Sequence, residues 1–290
     1  MSSALQTFLR KYANKKTLVG LTAWDYPSGL LAERSGGIDL VHVSDSLGKV
    51  ILGLQGPISL TLDEMIHHTK AVARAVKTPL LIADLPMGSL QSAIRMIKEC
   101  PGVAGIKIEG NQDLCPAVRK ITSAGIPVFV QVGLTPQRSN QAESDQDGLG
   151  MTDSSAQEII DAAVALEKVG AVGLFLTALS EVAAKLVTDQ VGVPTIGIGY
   201  VNSYAPRLSR SLLHSSSPNK NSSGSACSGQ IVFQSEMLGY QDPWVPQWHS
   251  QYESIGAKSL TAIRNYVREV GDGVFPGEEL VQLSFLPPPR

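Results

Sequence analysis

Eight short apolar runs, most of them separated by segments of helical length, constrain the fold of this chain more than any other feature. Their apolar residues are nearly continuous rather than alternating, which is typical of parallel strands covered on both faces. A strand followed by a helix, repeated about eight times, predicts an α/β fold of the (β/α)8 TIM barrel type, with a doubly wound open sheet as the alternative. The predicted strands are Thr17–Thr22, Asp39–Ser46, Leu80–Pro86, Gly105–Gly110, Pro127–Leu134, Ala171–Thr177, Pro194–Gly199 and Gly229–Phe233.

Helical patterns occupy several segments between these runs and one before them. The first 24 residues contain basic residues and no acidic ones, a composition that also fits a weak transit peptide. We favour an amphipathic helix that leads into the first strand. The predicted helices are Ser3–Asn14, Leu62–Val76, Gln91–Glu99, Ala156–Val169 and Ser180–Asp189.

Composition excludes several classes of protein. The 290 residues are 43% hydrophobic, enough for a full core, and this excludes disorder as the dominant state. The net charge of −2 leaves no basic surface for nucleic acid, and no run reaches the ~18 apolar residues of a membrane span. The three cysteines are too few and too scattered for a disulfide framework or a zinc site, so we expect a cytoplasmic protein, with a mitochondrial location as the alternative.

Polar residues at the ends of the apolar runs are the candidate site, because barrel active sites lie at the carboxyl ends of the strands. Asp45, Asp84 and Glu109 end three consecutive runs, and their oxygens suit Mg²⁺ with room for a chelating substrate. Lys107 lies two residues before Glu109, so it faces the same side and either balances the carboxylates or binds an anionic substrate. The alternative is that each acid caps the following helix. Ser46, Gln131 and Thr177 are the other polar residues at run ends.

Nine strings of the sequence together resemble the ketopantoate hydroxymethyltransferase family, in that family's order and over nearly the whole chain. They are TAWDYPSG (22–29), HVSDSLGKVILG (42–53), MIHHTKAV (65–72), LLIADLPMGS (80–89), GIKIEG (105–110), VGLTPQ (132–137), IGIG (196–199), CSGQI (227–231) and EVGDGVFPGEE (269–279).

The resemblance implies a barrel related to the phosphoenolpyruvate mutase and isocitrate lyase group, and a homo-oligomer, a decamer in the family. It implies transfer of a one-carbon unit from 5,10-methylenetetrahydrofolate to a small 2-oxo acid, 3-methyl-2-oxobutanoate, giving 2-dehydropantoate. From the matching motifs, the resemblance implies that Asp45 and Asp84 bind Mg²⁺ and that Glu109 completes the acidic cluster. It also implies that Ser46 and Lys107 contact the keto acid.

The sequence also departs from this family. The family's general base, a glutamate after the sixth strand, is Thr177 here, and a threonine hydroxyl has no useful basicity near neutral pH. The histidine before GLTPQ is Gln131, the histidine-aspartate pair after SGQ is Ser235-Glu236, and the glycine-rich loop is absent from Arg138–Asp153. These departures predict that metal binding is retained and that proton transfer is compromised.

One Ser- and Asn-rich segment, Tyr200–Ser222, carries no core pattern. Removing it joins Gly199 to Ser223 and restores the family's glycine-rich motif without a gap. We therefore predict one barrel domain over residues 1–290, in which 200–222 are an insertion or a retained intron.

Three functions are compatible with the sequence. The first is hydroxymethyl transfer in pantothenate biosynthesis. The second is a specialised paralogue that performs metal-enolate aldol or retro-aldol chemistry on another 2-oxo acid. The third is a catalytically degenerate homologue that only binds ligand or assembles with an active enzyme.

Overall fold

The computed structural model of the chain describes residues 2–86, 88–138, 153–198, 226–240 and 251–276. The chain divides into two compact units, residues 1–234 and 235–290, and the barrel lies in the first. The prediction of a single barrel domain over the whole chain stays a prediction. The predicted insertion at 200–222 and most of the loop at 138–153 lie outside the described residues.

Eight parallel strands close into a barrel in sequence order, with β8 paired to β1. This confirms the predicted barrel and rules out the open sheet, and each predicted strand contains the observed one. The strands are β1 Leu18–Thr22, β2 Leu40–Val43, β3 Leu80–Asp84, β4 Gly105–Glu109, β5 Val128–Gly133, β6 Gly173–Thr177, β7 Thr195–Ile198 and β8 Gly229–Val232. Most of their residues are buried, as expected for strands between an inner and an outer layer.

Helices follow most of the strands, and two short 3₁₀ helices, Pro57–Ser59 and Gln112–Leu114, lie in the connections. The predicted helices are confirmed, with ends that shift by up to three residues. Those in the first unit are α1 Ser3–Ala13, α2 Tyr26–Arg34, α3 Leu47–Val50, α4 Leu62–Ala75, α5 Leu90–Glu99, α6 Cys115–Ser123, α7 Asp153–Lys168 and α8 Glu181–Gln190. Helix α9, Gln234–Met237, begins at the last residue of the first unit, and α10, Ile255–Gly271, belongs to the second.

Aliphatic and aromatic side chains fill the lower part of the barrel. Leu5 and Phe8 of α1 join one buried cluster with the first residues of strands, among them Leu18, Leu40 and Leu80. The rings of Phe8 and Phe129 meet edge to face with centroids 6.2 Å apart. The amphipathic helix predicted before the first strand therefore closes the amino-terminal end of the barrel. The polar residues at the strand ends lie at the opposite, carboxyl end.

No helix in the described part of the chain is long and apolar enough to span a membrane. All three cysteines, Cys100, Cys115 and Cys227, are free thiols.

Candidate active site

The acidic residues predicted from the strand ends come together at the carboxyl end of the barrel. Asp84 is the last residue of β3 and pairs in register with Lys107 of β4, while Glu109 pairs with Gln131 of β5. Asp45 follows β2 by two residues and is also buried. Because neighbouring strands are in parallel register, side chains that are far apart in sequence share one interior layer.

Lys107 is the centre of this layer and is only 1% exposed. Its Nζ lies 2.8 Å from Asp84 Oδ1, 2.9 Å from Gln131 Oε1 and 3.5 Å from Glu109 Oε1. Burial by itself would lower the pKa of this ammonium, but the surrounding carboxylates raise it well above its usual value. Its three N–H donors face three protein oxygens, so the structure places Lys107 among the acids as their counter-charge.

Asp84 is completely buried and accepts from three donors. Oδ1 faces Lys107 and the Nε2 of His42, 2.9 Å away, and Oδ2 accepts the backbone N–H of Asp45 at 2.9 Å. Burial opposes ionisation, but His42 and Lys107 outweigh it and hold the pKa of Asp84 well below its ordinary range. Burial lowers the pKa of His42, so near neutral pH the ring is neutral and donates its Nε2–H to the carboxylate.

Gln137, in the loop after β5, connects the other two acids. Its Nε2 donates to Asp45 Oδ2 at 2.8 Å, and its backbone N–H donates to Glu109 Oε2 at 3.1 Å. Burial and the charges of neighbouring carboxylates raise the pKa of Asp45 well above its usual value. The pKa of Glu109 is also raised, first by burial and then by Asp84. Burial and the neighbouring carboxylates therefore oppose the ionisation of both Asp45 and Glu109.

The charges of this layer do not balance. Three buried carboxylates (Asp45, Asp84 and Glu109) face one ammonium (Lys107) beside a neutral histidine, which leaves two negative charges when all three acids are ionised. A divalent cation has the charge that compensates this excess, and carboxylate oxygens are the donors that Mg²⁺ prefers. The donor set therefore fits Mg²⁺.

Within the described residues, no three His, Cys, Asp or Glu side chains converge as a complete metal-binding group. Two of the acids are also engaged by Lys107. A site with fewer than three protein ligands is usual for Mg²⁺. The ion is commonly bound through one or two carboxylates, with water and substrate oxygens in the other positions. Asp45, Asp84 and Glu109 each accept hydrogen bonds inside the layer, and each retains lone pairs that can face a cation.

Ser46 follows Asp45 directly in the chain, and Thr177 is in register with Gly133 of β5. Ser46 stands just before α3, and its side chain makes no capping hydrogen bond. Thr177 ends β6, and its buried hydroxyl has no hydrogen-bond partner among the described residues. The next residue, Ala178, has a left-handed backbone with φ of 56°, an unfavourable conformation for alanine that is commonest at functional turns.

The alternative that the acids cap helices is wrong for this site. Helix α3, which follows Asp45, has no side-chain cap, and Ser89 caps α5, which follows Asp84. The two helices after Glu109 also have no side-chain cap. The carboxyl groups of Asp45 and Asp84 instead accept hydrogen bonds inside the layer.

Two residues of the site were missed by the sequence analysis. His42 lies inside the apolar run LVHV, and Gln137 ends the string GLTPQ. A polar side chain in the middle of a buried run needs a partner, and this is the signal that would have identified His42. Gln137 lies in a loop, where nothing in the local pattern indicates what it contacts.

Comparison with known proteins gives the same family over most of the chain. The family model of ketopantoate hydroxymethyltransferase matches residues 2–204 and 222–278. The internal gap in this match, residues 205–221, falls within the predicted insertion. A 3-methyl-2-oxobutanoate hydroxymethyltransferase of Heliobacterium modesticaldum is 37% identical over 91% of this chain and 89% of its own length. The enzyme of that name from Emericella nidulans is 35% identical over 95% of this chain and 74% of its own length.

Solved structures match the fold at low sequence identity. The structure of 2,3-dimethylmalate lyase, a PEP mutase/isocitrate lyase superfamily member, has a TM-score of 0.57 at 16% identity, covering 96% of this chain and 90% of its own. Phosphonopyruvate hydrolase in complex with oxalate and Mg²⁺ has a TM-score of 0.58 at 16% identity, covering 99% and 92%. These similarities confirm the predicted barrel type.

Asp45→Asn should stabilise the metal-free protein, because it removes a carboxyl group whose ionisation is opposed by burial and by the charge of Asp84. We expect the free energy of unfolding to rise by ~0.5–2 kcal/mol, measured by urea denaturation in the presence of a chelator. Mg²⁺ should raise the Tm of the wild-type protein and should not raise that of the variant, because binding to the folded state stabilises it.

Asp189→Asn is the matched control, because Asp189 is an exposed acid on α8 that pairs with Lys185. It should change stability by less than ~1 kcal/mol and keep the response to Mg²⁺. A metal-free Asp45→Asn protein that is less stable than wild type would contradict the assignment of an unbalanced charge to this layer.

Proposed function

Because the chain belongs to the ketopantoate hydroxymethyltransferase family, we propose that it transfers a hydroxymethyl unit from 5,10-methylenetetrahydrofolate to 3-methyl-2-oxobutanoate, giving 2-dehydropantoate for pantothenate biosynthesis. The observation that carries this proposal is the acidic layer at the carboxyl end of the barrel, with its excess of two negative charges. The names of the relatives favour this reaction over the paralogue on another 2-oxo acid.

We assign Mg²⁺ to Asp45 and Asp84, with Glu109 completing the acidic cluster. When bound, Mg²⁺ supplies Lewis-acid polarisation of the substrate's keto oxygen, which acidifies the C–H at C3. The residues of the chain hold the two acids in place: His42 and Lys107 bind Asp84, and Gln137 binds Asp45.

We assign the substrate contacts to residues near this layer. The hydroxyl of Ser46, free of any capping role, is available to hydrogen-bond the carboxylate of the keto acid. Lys107 remains the charge that offsets this anionic site, since its N–H donors already face Asp84, Glu109 and Gln131. Thr177 presents its hydroxyl at the end of β6, where it can orient the substrate but cannot remove a proton near neutral pH.

Incubation of the purified protein with 5,10-methylenetetrahydrofolate, Mg²⁺ and 3-methyl-2-oxobutanoate tests the activity. We expect formation of 2-dehydropantoate, measured by mass spectrometry, and its loss when Mg²⁺ is chelated. The same incubation without the folate separates the two steps: NMR in deuterated buffer should show Mg²⁺-dependent exchange of the C3 proton. Absence of both product and exchange would contradict the proposed function.

Proton removal should limit turnover, because the end of β6 carries a hydroxyl and no carboxylate. Thr177→Glu should raise both kcat and the rate of C3 proton exchange by at least ~10-fold, since a positioned general base commonly contributes more than that. Thr177→Gln is the matched control, with the same shape and no basicity, and should raise neither rate. Equal rates for the Glu and Gln variants would show that other departures from the family limit the reaction.

We also propose that the protein is a homo-oligomer, and α10 of the second unit supports this. Leu260, Ile263, Val267 and Val270 repeat at spacings of three, four and three residues, and each is 47–63% exposed. Such spacing forms a continuous apolar stripe on one face of a helix, which is typical of a helix that packs on another. The partner that we assign to it is a second copy of this chain.

Ile263→Lys should therefore reduce the oligomer to smaller species, because it places a charge in the apolar stripe. Size-exclusion chromatography with light scattering measures the mass directly. Asn265→Lys adds the same charge on the opposite, polar face of α10 and should leave the mass unchanged. A monomeric wild-type protein, or an Ile263→Lys protein of unchanged mass, would contradict this role for α10.

We place the protein in a reducing compartment, the cytoplasm. The support for this is that its three cysteines are free thiols.

A further inference from the structure

His42 is a buried polar residue whose role neither packing nor the backbone explains. It lies in the middle of β2, is 2% exposed, and its ring lies beside Phe175 with centroids 5.5 Å apart. Leucine or methionine would fill a similar volume in this apolar layer without the cost of burying a polar ring. Its Nε2 lies 2.9 Å from Oδ1 of Asp84.

The hydrogen bonds of Asp84 show what this contact does. A carboxylate has about four lone-pair positions, two on each oxygen. Oδ1 faces two donors, His42 and Lys107, while Oδ2 accepts one, the backbone N–H of Asp45. Among the described residues this leaves one lone pair, on Oδ2, for a further ligand. Oδ2 is also the oxygen directed toward Asp45, the other acid assigned to Mg²⁺.

Lys107 cannot fix this orientation by itself. Its ammonium also faces Gln131 and Glu109, so it is a rotatable point charge shared among three acceptors. The terminal torsion of an aspartate is broad, and the backbone N–H of Asp45 fixes only Oδ2. Without a directional donor on Oδ1, the plane of the carboxylate can turn about that contact. The imidazole N–H is directional and is held by the packing of its ring in the barrel.

We propose that His42 is a positioning residue: it holds Oδ1 of Asp84 so that Oδ2 stays available, beside Asp45, for the divalent cation. This rests on the proposed function, because it assumes that Asp84 is a metal ligand. It acts through Asp84 and has no contact with substrate. Removing a residue that hydrogen-bonds to a metal ligand commonly weakens metal affinity by ~10- to 100-fold.

The test is Mn²⁺ binding to the full-length protein, measured by the electron paramagnetic resonance signal of free Mn²⁺. His42→Met has a similar volume and no donor, and we expect its Kd for Mn²⁺ to rise at least ~10-fold. His42→Gln carries an amide N–H that reaches the position of Nε2, and it should retain most of the affinity. The ratio of the two Kd values isolates the hydrogen bond from the packing of the ring.

A purely structural role predicts a different result. Both variants would then lose thermal stability, measured by circular dichroism, while the folded protein bound Mn²⁺ as the wild type does. An unchanged Kd for His42→Met would overturn the role of His42 and leave the metal site standing. If His42→Met does not fold, His42→Asn replaces it, since its shorter amide does not reach Asp84 and the same loss of affinity is expected.

Failure of the underlying proposal gives its own signature. A wild-type protein that binds no Mn²⁺, with Asp84→Asn behaving identically, would overturn the metal site and with it this role of His42. Binding by wild type, loss in Asp84→Asn and His42→Met, and recovery in His42→Gln would support both.

Discussion

The buried ion pair between Lys107 and Asp84 is the interaction on which the rest of the site depends. Removing an ammonium and a carboxylate from water costs several kcal/mol for each ion, and only close partners with good hydrogen bonds offset this cost. Lys107 therefore requires Asp84 on β3, Glu109 on its own strand and Gln131 on β5. A shift of one residue in register would turn these side chains to the other face, so the same contacts also specify how three strands pair.

The apolar half of the barrel makes this polar half possible. Helix α1 closes the amino-terminal end, and the ring of Phe175 lies between the hydrophobic layer and the ions, 5.8 Å from the Nζ of Lys107. Excluding water below the acids strengthens each interaction above them, including the repulsion among Asp45, Asp84 and Glu109. A scaffold whose own stability comes from burial elsewhere thus holds these carboxyl groups close together, and a divalent cation bound there would offset their repulsion.

Prediction from the sequence succeeded where a local pattern reflects the environment of a residue. Continuous apolar runs predicted all eight strands, and acids that end such runs predicted three members of the site, because strand ends in a parallel barrel share one rim. It failed for His42, whose partner Asp84 is 42 residues away on the next strand. It also missed Gln137, whose contacts with Asp45 and Glu109 depend on the path of a loop. Helices α2, α3, α6, α9 and α10 were not predicted, although Asp25 and Ser28 form a capping box at the start of α2.

The architecture separates holding the substrate from removing its proton. The groups to which we assign the cation and the keto acid lie at the ends of β2, β3 and β4, and each acid has its own supporting donor. Thr177 stands apart on β6, with a buried hydroxyl that has no partner in the described part of the chain and a left-handed residue, Ala178, directly after it. Because the two functions reside on different strands, a carboxylate can be lost at the end of β6 without disturbing the ion cluster around Lys107. On this assignment, the chain can bind a chelating 2-oxo acid while the rate of proton transfer changes independently.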